Sequence, residues 1–430
     1  MKPSEKGWID RYINFLIEPQ KSQLPTLAYY EDFRQLNQDK KLYKLVQPSG
    51  LMYGHPVRPS GNYDVAMSNW SEDEKMKFIL FDCLINEAIL LSSEKIENQN
   101  DFAECIHESI KSIFNFYQKN TQPSKKLSSI LRKRKSESES LETILNERLK
   151  VKTRWTRNFW SGFFQNSLLF LDVYNFGLWH KKNRIATDIQ LFNEYEQKLR
   201  LDILQVIATA AWANNIIETE EKALFDFFLQ SANLTKENEQ RAKEFLGSNN
   251  RLENIVLNRQ DPWIIKKYML ELAILTIWAD KCVEETEREF IKQLSKKLGF
   301  TQEELDNSLL AVESFVISNW QQIHFLQSKH DILIIKERFS KRFSHIVNKN
   351  KNAFIKEISE SKELMTLMIK MTREKLSEKE KAIVKAQLLD ILKTLPTFVI
   401  IALPGTFITL PLLLNLLPKG AFPSAFSEVD

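Results

Sequence analysis

The chain has 430 residues, of which 60 are basic and 56 acidic; a formal charge of +4 gives no global field for a polyanion, so any electrostatic partner must meet a local patch. Only 10 glycines and 13 prolines occur, the prolines crowding into the two ends, which leaves long stretches suited to helix and predicts an all-α, multi-domain protein. Cys83, Cys105 and Cys282 are too few and too scattered for a disulfide framework or a zinc knuckle, and they fit a reducing cytoplasm.

The N-terminal MKPSEKGWIDRY has no continuous apolar core, so nothing in it argues for export. Residues 1–120 read as a helical domain interrupted by a loop from Gln47 to Tyr63. After the loop, Ser71 and Glu74 form a capping box before a helix that places Met76, Ile79, Leu80, Cys83, Leu84, Ala88 and Leu91 on one core face.

Residues 121–152 form a linker rich in basic residues and serine, with Lys125, Lys126, Arg132, Lys133, Arg134 and Lys135 ahead of an acidic-serine tract. A solvated linker is the plain reading, while anionic lipid or nucleic acid are the partners such a cluster would attract. Residues 153–190 are dense in aromatics from Trp155 to Trp179, with Asp172 the only formal charge between the basic flanks ending at Arg157 and beginning at Lys181. This segment suits a buried helix or one at a membrane surface.

Within 191–320 the chain repeats itself at an offset of 66 residues, pairing Trp212 with Trp278, Ile217 with Val283, Glu221 with Glu287 and Thr235 with Thr301. Each copy reads as helix, turn, helix. Thr286 with Glu289, and Thr301 with Glu304, have capping-box spacing. The pattern at Ala279, Asp280, Val283 and Glu287 resembles the repeated signature of the TerB-like family of bacterial helical domains associated with tellurite resistance. That resemblance implies clustered acids as metal ligands, here Asp280, Glu284 and Glu287. Against it, Lys281 stands where the family has glycine and Asn214 replaces the acid in the first copy. So few carboxylates suit capping and salt bridging better than a hard cation that wants several oxygens.

Residues 321–393 continue as basic amphipathic helices, the last begun by a capping box of Ser377 and Glu380. From 394 to 430 the character changes: no charge lies between Lys393 and Lys419, and Leu-Pro pairs recur at Leu395-Pro396, Leu403-Pro404, Leu410-Pro411 and Leu417-Pro418. A helix over this run would be long enough to span a bilayer, where Thr394, Thr397, Thr406 and Thr409 could satisfy the backbone groups that proline frees. A proline-kinked apolar hairpin inside a protein core is the competing reading. Lys379, Lys381, Lys385 and Lys393 precede the run and Lys419 alone follows it, which places the N-terminal bulk on the cytoplasmic side of an inner membrane.

The last 65 or so residues resemble the membrane segment of the Letm family, the leucine-zipper EF-hand transmembrane proteins of the mitochondrial inner membrane and their bacterial relatives. Leu395, Pro396, Pro404, Leu410, Pro411, Leu417, Pro418, Phe422, Pro423 and Phe426 carry the resemblance. A biofilm-associated bacterial group of Letm relatives with a long N-terminal extension is the nearest in organisation. The resemblance implies a membrane-anchored protein of envelope or cation homeostasis, with a lipid bilayer, a second copy or other envelope proteins as partners. Cation/proton transport by an oligomer and ribosome or nucleic-acid binding are the alternatives it suggests. Phe407 occupies the place of the family's intramembrane acid, which argues against antiport. No phosphate-cradling glycine run, nucleophile elbow or zinc-binding HExxH motif is present, the six histidines are dispersed, and neither enzymatic activity nor a cofactor is expected.

Overall fold

The computed structural model describes residues 1–18, 33–61, 63–120, 136–149, 166–182, 189–211, 225–226, 228–230, 232–247, 251–255, 257, 260–278, 285–319, 329–403 and 408–416. Among these the regular structure is helix alone, with no strand, so the protein is all-α. The chain divides into two compact units: Met1–Ala279 with Glu284–Leu294, and Asp280–Val283 with Ser295–Asp430. The division falls inside the second repeat copy.

The first unit contains α1 (Trp8–Ile17), α2 (Gln38–Val46), α3 (Glu72–Ser92), α4 (Gln99–Asn120), α5 (Glu137–Arg148), α6 (Phe170–Lys182), α7 (Ile189–Ala211), α8 (Lys236–Gly247) and α9 (Trp263–Trp278). It also holds most of α10 (Glu285–Lys297). Helix α3 begins at the expected capping box: Ser71 accepts from the Glu74 amide and Glu74 from the Ser71 amide. Its core face is wider than the sequence period suggests. Phe78, Phe81, Asp82, Ile85, Asn86, Glu87 and Ile89 are buried along with Met76, Ile79, Leu80, Cys83, Leu84 and Ala88, because α2, α4 and α6 pack round it. A helix enclosed on every side has no polar stripe to reveal its orientation.

The aromatic helix α6 is likewise internal, with Phe170, Leu171, Val173, Tyr174, Phe176 and Trp179 all buried. Its one acid, Asp172, is held by Arg148 Nε at 2.8 Å and Arg200 Nη2 at 2.9 Å, and Tyr117 donates to it from 3.2 Å. These arginines hold the Asp172 carboxyl below the usual carboxylate range despite complete burial. Two other buried acids are closed off in the same way. Asp82 accepts from Tyr12 and Tyr63 at 2.5 Å and from both the amide and the hydroxyl of Ser60 at 2.6 Å. Glu271 accepts from Tyr43 and Tyr53 at 2.8 Å and pairs with Lys267 at 3.0 Å. A further carboxylate, Glu142 of α5, caps the start of α1 by accepting from the Gly7 and Ile9 amides, where Gly7 turns the chain at φ 78°.

Two positions 66 residues apart share a backbone conformation. Asn233 and Gly299 adopt left-handed φ of 51° and 81° at equivalent places in the two copies. Just after them, Thr235 accepts from the Asn238 amide and Thr301 from the Glu304 amide. The Thr301–Glu304 capping box is complete, but Thr286 lies inside α10, and Glu289 meets Lys292 and Gln293.

The second unit is built from α11 (Gln302–Ser318), α12 (Lys329–Lys349), α13 (Lys351–Glu360), α14 (Lys362–Arg373), α15 (Glu378–Thr394) and the short α16 (Leu410–Leu416). Here burial is one-sided. Only Val384, Leu388, Ile391 and Leu392 of α15 are buried, spaced as one helical stripe below the Ser377–Glu380 cap.

Candidate functional site

The C-terminal apolar run and the helices that hold it form the site that the sequence marks most strongly. Helix α15 stops at Thr394, and Leu395 is extended at φ −72°, ψ 137°. Proline disfavours the helical conformation for the residue before it, and with Leu395 extended α15 ends at Thr394 instead of continuing into the run. Pro411, by contrast, sits in the first turn of α16, the one place in a helix where its missing donor is harmless. The expected continuous helix over 394–418 is therefore absent. Among the described residues no helix is long and apolar enough to cross a membrane.

The described part of the run is folded into the second unit. Leu395, Phe398, Ile400, Ile401, Ile408 and Leu413 are buried, while Pro396, Thr409, Pro411 and Asn415 are exposed and Leu403, Leu410, Leu412 and Leu414 half-buried. The Phe398 ring lies 5.1 Å from that of Phe343 on α12. Two hydrogen bonds fasten the backbone turn to α11: Thr397 Oγ1 donates to Asn307 Oδ1 at 3.1 Å, and Ser314 Oγ donates to the Ala402 carbonyl at 2.5 Å. The threonines serve local ends. Thr394 donates to the Ile391 carbonyl and Thr409 accepts from the Leu412 amide, each tidying a helix terminus.

Asn307 and Ser314 are seven residues apart on α11, hence on one face, and their neighbours Asp306 and Glu313 make a parallel stripe that grips Arg342 of α12. Arg342 Nη1 meets Asp306 at 2.6 Å and its Nε meets Glu313 at 3.2 Å. Burial pushes the Glu313 carboxyl up to about 7, with Arg342 pulling the other way. One helix thus carries the latch for the apolar turn and the buried ion pair that fixes its neighbour.

The remaining sequence-marked residues fall as follows. Pro404, Leu417, Pro418, Phe422 and Pro423 lie outside the described residues, as do Lys125, Lys126, Arg132, Lys133, Arg134 and Lys135 and the candidate ligands Asp280 and Glu284. Glu287 is buried on α10, and among the described residues no group of three or more His, Cys, Asp or Glu side chains is placed to hold a metal. Asn307, Ser314, Phe343 and Arg342 were not singled out by sequence. Their residue types are ordinary for an amphipathic helix, and only the docking of the run gives them a role.

No protein-family model, curated protein or solved structure matches this chain.

Proposed function

We propose that the protein is a membrane-associated helical scaffold or accessory factor of envelope or cation homeostasis, akin to Letm proteins at its C-terminus. The observation that carries the reading is the uncharged run between Lys393 and Lys419, in a chain where 27% of residues are charged. The flanking lysines favour a cytoplasmic location for the helical bulk.

The geometry refines how such a run would meet lipid. Leu395, Phe398, Ile400, Ile401, Ile408 and Leu413 are covered by the second unit. Exposing each to water costs about 1.5–3 kcal/mol, so releasing all six costs roughly 10 kcal/mol or more, an upper estimate for a real unfolded segment. Release into water is therefore negligible. Acyl chains would recover that cost, because what α11 and α12 cover a bilayer interior also covers. The run acts as an apolar segment exchanged between two apolar environments, with the bilayer surface required for the exchange. The test is extraction of the full-length protein from membranes of the cell that makes it. Retention through alkaline washing with release by detergent is expected; recovery in the aqueous fraction without detergent rejects the reading.

A further inference from the structure

Glu87 breaks the pattern set by the other buried acids of the first unit. Asp82, Asp172 and Glu271 each receive several short donors, whereas Glu87 Oε1 has only Gln38 Nε2 at 3.5 Å, and Glu87 Oε2 has no hydrogen-bond partner among the described residues. An unpaired buried carboxylate is costly, and such a carboxyl keeps its proton instead. Burial accordingly pushes Glu87 up to about 8, opposed by Lys181, Gln38 and Lys41.

A cavity of about 220 Å³ opens one helical turn away. Leu90 and Leu91, three and four residues beyond Glu87 on α3, line it; so do His180 and Lys181, three and four beyond Gly177 on α6. The two helices are in contact at Glu87 and Gly177, where a Cβ on the glycine would stand 2.7 Å from Glu87 Oε1, and the cavity lies on the next turn. Gln38 and Lys41 of α2, with Ser93 and Glu94 after α3, complete the lining. Among the described residues Lys41, Lys181 and Glu94 form no ion pair within 4.0 Å. Two free ammonium groups against one free carboxylate leave the cavity net positive.

We propose that this cavity binds the oxyanion group of a small molecule, a carboxylate, sulfate or phosphate, held by Lys41 and Lys181, one helical turn from the buried carboxyl of Glu87. The lysines supply charge from two different helices, so a bound anion also ties α2 to α6. The protonated Glu87 adds no negative charge one turn from the site, and its ionisation in alkaline solution would disfavour the ligand. Glu87 faces Gln38 and Lys41 on α2 and lies a turn from His180 and Lys181 on α6 and Glu94 beyond α3, so these are the groups that share its field.

Sulfate and acetate are the probes, since both keep their charge from about pH 6 to pH 9 and any pH effect then belongs to the protein. Calorimetric titration of the full-length protein in low-salt buffer should give saturable uptake of at least one of them near neutral pH. Lys41→Gln with Lys181→Gln should weaken that uptake by about tenfold or more. Uptake by the wild type should fall several-fold between about pH 7 and pH 9 as Glu87 ionises, while Glu87→Gln should keep its affinity across that range. Absence of saturable uptake of both probes, or unchanged affinity in the double lysine variant, overturns the site. Persistence of the full pH effect in Glu87→Gln overturns the part assigned to that carboxyl.

Discussion

The two units bury charge and apolar surface in different ways. In the first, Asp82, Asp172 and Glu271 sit among fixed tyrosine and arginine donors, and α3 is covered on nearly every side. In the second, the helices are amphipathic, Glu313 is bonded to Arg342 with the charge of Arg338 nearby, and an uncharged turn from the C-terminal run fills the space beside α11 and α12. A unit closed by its own helices is expected to resist local change. A unit completed by a docked turn is expected to depend on whether that turn stays in place.

The strongest way to test the contrast is to break one buried ion pair in each unit. Asp172→Ala leaves Arg148 and Arg200 without their carboxylate and should destabilise the first unit by about 3–5 kcal/mol in urea unfolding. Arg342→Ala should cost the second unit less, about 1–2 kcal/mol, because Glu313 can take up a proton once its partner is gone. Equal losses would erase the difference between the units. Between these two in size, Phe398→Ala should lower the stability of the second unit by about 3 kcal/mol, since the ring is buried against Phe343. A loss near zero would mean the turn is not part of that core.

Acidity sharpens the comparison further. Glu313 is held at about 7, above the ordinary carboxylate range, so the folded second unit keeps a proton that the unfolded chain has already lost. Its stability should therefore fall as pH rises from about 4.5 to about 7, and Glu313→Gln should flatten that slope in melts monitored at several pH values. In the first unit Asp172 is lowered instead, and its contribution is lost as the solution is made acid through the range below about 4. The smallest effect is shared: Ser71→Ala and Ser377→Ala each remove a complete capping box and should cost about 1 kcal/mol apiece.

Much of the helical organisation was legible in the chain, for reasons visible residue by residue. Local signals fix local geometry, so the Ser71, Thr301 and Ser377 boxes form as their spacing implies. Thr286 does not, because it lies within α10. Helix α3 was read too narrowly, since an enclosed helix carries no amphipathic stripe. The apolar run differs most: its composition suits one continuous helix, but the backbone turns extended at Leu395, ahead of Pro396. Its latch on Asn307 and Ser314 and the cavity near Glu87 depend on tertiary neighbours that no local pattern announces.

The central claim is that the C-terminal run trades its cover on the second unit for lipid. Flotation of purified full-length protein with phospholipid vesicles tests it, comparing wild type with Thr409→Lys/Leu412→Lys. Thr409 is exposed and Leu412 half-buried, so in the folded unit both lysines can reach water at the cost of one helix cap, about 1 kcal/mol, whereas a bilayer interior costs about 2.5–3.5 kcal/mol for each near its centre. The account predicts that the wild type rises with the vesicles and the double variant stays below. Wild-type protein left at the bottom of the gradient, or a double variant that floats equally well, would contradict it.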